Sequence, residues 1–292
     1  MDWARWQANV GFASCEDVAE VLALCALDPV AYVLAEVRLR QAFSCGYLGP
    51  YELLRYPQTG SIKAACLVGA NVVPINCLDS GAAWQGFAKI LAQHRGGYAS
   101  VVGPAPAVLG LWRHLERQGL QAREIRPSQP SLVLQQAASG RSDPLVRRAT
   151  LADFPQVLPA AVAMFQEEVG YNPLTPDGSY QVRVRSLIQQ QRMFVRTLGE
   201  DSGPMPHPGA VVFKAELGAL TPQVAQIQGV WTHKEHRGQG LAKGGVARLV
   251  ELARKDGPQV ISLYVNSYNA PALAVYEAVG FRQVGEYATV LL

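Results

Sequence analysis

The chain has 292 residues, of which 49% are hydrophobic and 17% charged, and its formal net charge is +3. That length allows two domains, each with a buried core, while a charge so small and so evenly spread supplies neither a nucleic-acid arm nor a basic membrane patch. The long apolar stretches are broken by Lys63, Asn71 and Pro74 or by Pro155 and Pro159, so no segment reaches the roughly 18 uninterrupted apolar residues of a membrane span.

The opening MDWARWQANV carries an acid at its second position and no long apolar block. It is not the pattern of a secretory signal, and a cytoplasmic protein is expected. Cys15, Cys25, Cys45, Cys66 and Cys77 all fall in the first third without Cys-x-x-Cys spacing; they are expected as small buried apolar side chains, not a disulfide frame or a metal site. A β-rich pair follows, Ile62–Val68 and Asn71–Cys77, then a helix over Ala82–His94. Next come a strand at 99–104, a helix over Val108–Gln118 ended by Gly119, and β segments at Arg123–Ile125 and Ser131–Leu134. Trp112, on the amphipathic helix, is expected to face the core.

The polar stretch QAASGRSDP at 136–144 reads as a junction. It divides the chain into a first domain at 1–138, a linker at 139–145 and a second domain at 146–292. In the second domain Val146–Ala149 reads as a short strand, and Thr150 caps a helix over Leu151–Val169 with Asp153 as the capping acid. A second helix covers Gly178–Arg192. Met193–Leu198 and Ala210–Leu217 form an antiparallel pair, joined by GEDSGPMPHPG at 199–209, which is too rich in proline for a strand.

The most constrained segment comes next. An apolar strand, Ala225–Thr232, runs into HRGQGLAKGG at 236–245 and then directly into a helix over Leu241–Lys255. Such a turn gathers main-chain N–H groups at the positive end of a helix, where a diphosphate can sit. Gly238 and Gly240 allow the backbone to approach the anion because no Cβ intervenes. Pro258 stops the helix, Gln259–Val265 is a buried strand, and Asn269 caps a last helix that Gly280 ends.

Arg237-x-x-Gly240-x-Ala242, the strand before it, the Asn-capped helix, Tyr276 and the Gly-Phe pair at 280–281 together resemble the second half of a GNAT N-acetyltransferase domain. The tracts EEVGYNP, VGANVVPIN, SVVGP and REIRPSQP extend the likeness to actinobacterial GNAT proteins that carry an uncharacterised N-terminal domain. The resemblance implies a mixed α/β (α+β) sheet and two GNAT-like domains in tandem. The C-terminal domain is complete and the N-terminal one degenerate, since LDSGAAWQGF at 78–87 lacks the Arg-x-x-Gly-x-Gly/Ala loop. It further implies acetyl-CoA as cosubstrate and transfer to a primary amine of a small molecule, peptide or protein; on spacing grounds no metal is expected, and the protein is expected to be a monomer or homodimer.

By that resemblance the strand Gln228–Thr232 splays from its neighbour, and the main chain of Val230, Trp231 and Thr232 pairs with the pantetheine arm. Arg237, Gly238, Gln239, Gly240, Leu241, Ala242 and Lys243 hold the diphosphate, and Asn269 touches the pantetheine or phosphate arm. Tyr276 protonates the departing thiolate. Glu167, Glu168, Tyr171 and Asn172 are candidates for the amine pocket. One position where relatives carry a basic Glu is Tyr264 here; Glu216 is the first choice for the base, with Glu168, His233 or a water chain behind it. Two other functions share the same loop: a non-catalytic acyl-CoA sensor or scaffold, and a tandem acetyltransferase resembling mycothiol synthase.

Overall fold

The computed structural model describes residues 9–77, 81–93, 97–199 and 209–292. The expectations for the first eight residues, for the start of the 78–87 loop, for His94 as a helix end and for most of the 199–209 tract lie outside these residues. The chain forms two compact units that interleave in sequence. The first comprises residues up to Ser131 together with Tyr264–Tyr268 and Gln283–Leu292, and the second comprises Leu132–Leu263 and Asn269–Arg282. Residues 139–145 belong to the second unit, and residues 283–292 to the first.

In the first unit, helices α1 (Val18–Cys25) and α2 (Val33–Cys45) precede strands β2 (Glu52–Tyr56), β3 (Ala64–Val68) and β4 (Asn71–Ile75), with a two-residue β1 (Gly11–Phe12) on the edge. Neither helix is evident from periodicity, because the buried stripe of α2 includes Glu36, whose carboxylate is held by Arg40 at 2.6 Å. Strands β2, β3 and β4 form an antiparallel meander. Helix α3 (Gly81–Gln93), strand β5 (Ser100–Pro104) and helix α4 (Ala105–Arg117) follow, and β4 and β5 are parallel at Asn71–Val72.

The final strand β12 (Arg282–Leu291) lies antiparallel to β5, from Tyr287 opposite Pro104 to Leu291 opposite Ser100. Two apolar layers explain why it lies there. Ala288 and Val290 pack with Phe87, Leu91, Val108, Leu111 and Leu115 on the α3–α4 face. Tyr287 packs with Val21, Leu39, Leu53 and Ile75 on the α1–α2 face, and its hydroxyl donates to the carbonyls of Val30 and Ala31. Trp112 is buried in the layer on the α3–α4 face as expected, at 4% exposure. Among the cysteines, Cys25, Cys66 and Cys77 are buried but Cys45 is exposed, a departure from the expectation for all five.

Strand β6 (Glu124–Leu134) runs unbroken where two pieces are expected from the prolines at 127 and 130. Proline removes a donor, not an acceptor, and here the carbonyls of Ser128 and Pro130 serve as acceptors for Ser267 and Val265.

The second unit repeats the order. After β7 (Arg147–Arg148) come a 3₁₀ turn capped by Thr150 and Asp153, α5 (Phe154–Val169) and α6 (Ser179–Gln189). Strands β8 (Met193–Thr197), β9 (Val211–Leu220) and β10 (Val224–Thr232) are successively antiparallel. Helix α7 (Leu241–Arg254), strand β11 (Val260–Tyr264) and helix α8 (Ala270–Val279) complete it. Helices α5 and α6 pack on one face through Val157, Met164, Val184 and Ile188 against Met193, Val195 and Trp231. On the other face Gly245 of α7 admits the ring of Phe213, which a Cβ would meet at 2.6 Å. Each unit is thus a sheet with a helix pair on either face, and the fold is mixed α/β in tandem, as expected.

Candidate functional site

Strand β10 pairs in parallel with β11 from Val224 to Gln226, while its antiparallel pairing with β9 continues to Thr232. Beyond Gln226 the parallel strands part. A bulge lies in this free stretch: Gln228 faces Glu216 and Trp231 faces Lys214, so Gly229 and Val230 oppose the single residue Ala215. Gly229 has φ +55, a left-handed conformation that costs other residues energy. Gln228, Gly229, Val230 and Thr232 are half-buried.

The turn that follows has left-handed glycines leading into a helix N-terminus, a geometry that can receive an anion. A short 3₁₀ turn, Lys234–His236, is closed by Glu235 N–H donating to His233 Nδ1 at 3.4 Å. Gly238 and Gly240 have φ +76 and +79, and a Cβ on either would meet nothing within 4 Å. Gly240 is the N-cap of α7, and no side-chain hydrogen bond caps the helix. The N–H groups of Leu241, Ala242 and Lys243 therefore stand at the positive helix end without intrahelical acceptors. Gln239 Nε2 donates to the Glu235 carbonyl at 3.2 Å and steadies the turn from within.

Arg237 is differently engaged from the expectation that it meets the diphosphate. Its Nε donates to the Thr232 carbonyl at 3.0 Å and its Nη2 to Glu167 Oε2 at 2.5 Å. Trp231 Nε1 donates to the other oxygen of Glu167 at 3.1 Å. Glu167, a candidate for the amine pocket, instead bridges the end of α5 to β10 and to the glycine turn.

Glu216 is 2% exposed and meets two cations, Arg183 Nη2 at 2.6 Å and Lys214 Nζ at 3.2 Å. Burial raises its pKa, but Lys214 and Arg183 outweigh that and bring it down to about 2. A carboxylate so stabilised in its charged form is a weak proton acceptor at neutral pH, which does not suit the role of base.

Asn269 is exposed at the N-terminus of α8, and its Oδ1 accepts Ala272 N–H at 3.2 Å. Its amide nitrogen can donate to a ligand. Tyr276 is 7% exposed, with Phe281 edge-on at 5.9 Å between ring centroids. Burial, and then the charge of Glu168, raises its phenol above the ordinary value, so the phenol stays protonated. Tyr171 is 51% exposed and sets its ring edge-on to Phe165 at 5.2 Å. Among the described residues no group of three or more His, Cys, Asp or Glu could hold a metal ion, and no helix is long and apolar enough to cross a membrane.

Gly229, Lys214 and Arg183 are not singled out by motif. A signal was present for the first two. A glycine inside a strand marks a bulge, and Lys214 and Glu216 are charges two apart in an otherwise apolar strand, so they share a face. Arg183 carries no such mark to set it apart from Arg185, the other arginine of α6.

Residues 205–281 match the model of the acetyltransferase (GNAT) family, and residues 51–157 match a domain of unknown function, DUF4081. The chain is 36% identical to the probable N-acetyltransferase family 8 member 5 of Mus musculus over 56 residues, 19% of this chain and 25% of that protein. It is 28% identical to an uncharacterized N-acetyltransferase of Escherichia coli (strain K12) over 148 residues, 50% of this chain and 85% of that one. A tandem GNAT protein from the clavulanic acid biosynthesis pathway shares the fold with a TM-score of 0.54 at 13% identity, covering 97% of this chain and 98% of its own. The second unit carries a GNAT acetyltransferase domain match at residues 205–281.

Proposed function

We propose that this domain binds acetyl-CoA at the β10–α7 turn and transfers the acetyl group to an amine by direct attack. The supporting observation is the pairing of an uncapped helix N-terminus with two left-handed glycines at the point where β10 leaves β11. A diphosphate placed there receives main-chain N–H groups from Gly238 to Lys243, and the Lys243 ammonium adds charge. The open space beside Gly238 and Gly240 suits a ligand approaching the backbone. The pantetheine arm then follows the main chain of Val230, Trp231 and Thr232, and the Asn269 amide nitrogen lies on its other side.

Acetyl-CoA supplies an acyl group activated as a thioester. A neutral amine attacks the carbonyl carbon, an N–C bond forms and the C–S bond breaks. Sulfur leaves with the bonding pair and takes a proton from Tyr276, while the nitrogen gives one up. A main-chain N–H of the bulged segment is the natural donor to the oxygen as charge builds on it. Arg237, held by Glu167 and Thr232, acts here by shaping the turn. With Glu216 engaged by two cations, removal of the amine proton passes to Glu168 or to water.

That engagement of Glu216 also favours a second reading, a module that binds acyl-CoA without turning it over. Calorimetry with acetyl-CoA and assays of its consumption with a panel of amines separate the two, comparing the native protein with Tyr276→Phe. Heat together with turnover supports the transferase; heat with no turnover on any amine supports the sensor. No heat with millimolar acetyl-CoA or CoA overturns both.

A further inference from the structure

The face of β9 and β10 that meets α5 and α6 is apolar over most of its area, with Met193, Val195, Val211 and Trp231 packed on Val157, Ala161, Met164 and Ile188. One track across it is polar. Lys214 is 0% exposed and Glu216 2% exposed, and they lie opposite Val195 and Met193 of β8. Gln228 lies opposite Glu216 and donates from Nε2 to Gln226 Oε1 at 3.1 Å. Arg183 reaches Glu216 from α6. The track ends under the bulge: a Cβ on Gly229 would stand 3.1 Å from Lys214 Nζ and 3.2 Å from Glu216 Cδ. This is the segment where the thioester lies if the proposed function holds, and the inference rests on that reading.

Structural needs alone do not call for this track. Replacing a buried ion pair with apolar residues of like volume is often neutral or stabilising, and the surrounding layer is already apolar. The charges within it also do not balance. Lys214 and Arg183 carry two positive charges against the one of Glu216. Nearby, Glu167 is engaged by Arg237 and Trp231, and Glu168 acts electrostatically on Tyr180 and Tyr276. Arg183 uses Nη2 on Glu216 and keeps 45% of its side chain exposed. With Nη2 on Glu216, the other N–H donors of its planar fork have the geometry that suits a carboxylate.

We propose that the acceptor is an amine that also bears a carboxylate, with the Arg183 guanidinium, backed by Lys214, receiving the carboxylate and the amine directed toward the bulge at Gly229. Amino acids and their homologues are the simplest members of this class. The role of Glu216 is then to hold the two cations in place, not to take a proton.

The test uses matched pairs on the full chain: L-alanine, L-phenylalanine, β-alanine and γ-aminobutyrate, each beside its carboxamide, with release of free CoA thiol as the readout. Acetyl-CoA binding is measured first by calorimetry; its absence refutes the parent reading, and the present one with it. With binding established, the carboxylates are expected to exceed their amides at least tenfold in kcat/KM, the scale of a charge-assisted hydrogen bond. In Arg183→Gln that ratio falls toward one, and in Arg183→Lys it is partly kept. If no pair reacts, calorimetric titration of the same pairs into the CoA complex decides by the same ratio. Amides as good as acids, binding of neither, or an Arg183→Gln variant that loses both members of each pair equally overturns the proposal.

Discussion

Gly229 lies over Lys214, so that a Cβ on the glycine would stand 3.1 Å from the buried ammonium. The left-handed φ of +55 at this position and the 0% exposure of the lysine beneath it belong to one arrangement. The bulge turns β10 away from β11, and the missing side chain leaves room for a charge under the strand. Gly229→Ala combines left-handed strain of about 1–2 kcal/mol with crowding of the same order. We expect a loss of about 2–3 kcal/mol in urea unfolding and a fall in turnover beyond the fraction unfolded. A variant within 0.5 kcal/mol of the parent would mean that the strand accommodates the methyl group without cost.

Glu216→Gln leaves Lys214 buried with a neutral partner. Breaking such a pair from one side costs about 3–5 kcal/mol at neutral pH. The sign of the pH dependence follows from a folded pKa of about 2 against an unfolded value near 4.3. The stabilisation is complete above the unfolded value and is lost as pH falls from there through the folded one. The stability gap between parent and variant should be widest at pH 7 and should narrow between about pH 4.5 and pH 2. Urea titrations at pH 7, 5 and 3 measure it; a gap constant across that range would show that Glu216 does not carry the charge assigned to it.

How far these features were legible from sequence depends on whether the cause is local. The β10–α7 turn, the cap at Asn269 and the helix stop at Gly280 follow from residue types at fixed offsets, and all three are present in the structure. Helices α1 and α2 were not legible, since α1 is short and α2 buries Glu36 in its stripe. The placement of β12 beside β5 could not be read either, because strand pairing at this separation is decided by the packing of Tyr287, Ala288 and Val290. The state of Glu216 was hidden for a similar reason: Arg183 reaches it from a helix 33 residues away in sequence.

Gly240→Ala separates backbone strain from ligand contact. With φ at +79 and no heavy atom within 4 Å of a built Cβ, the folded protein pays only the left-handed penalty, about 1–2 kcal/mol. A diphosphate held by the N–H groups of the turn would meet the added methyl group and the altered backbone. We expect acetyl-CoA affinity to fall at least tenfold by calorimetry while the circular dichroism spectrum is retained. An unchanged Kd would place the diphosphate elsewhere.

Tyr276→Phe removes a single oxygen from a residue that is 7% exposed. Loss of a positioned proton donor costs about 10²–10⁴-fold in rate, so kcat should fall by about two orders of magnitude or more. The Kd for acetyl-CoA should change little, because the diphosphate contacts lie on the glycine turn. The pH profile adds a constraint. Burial and Glu168 keep the native phenol above its ordinary pKa, which is about 10. It therefore stays protonated through the neutral and mildly alkaline range, and native kcat should show no fall below about pH 10 that the phenylalanine variant lacks. A kcat preserved in Tyr276→Phe would assign protonation of the thiolate to water and leave the tyrosine as packing against Phe281.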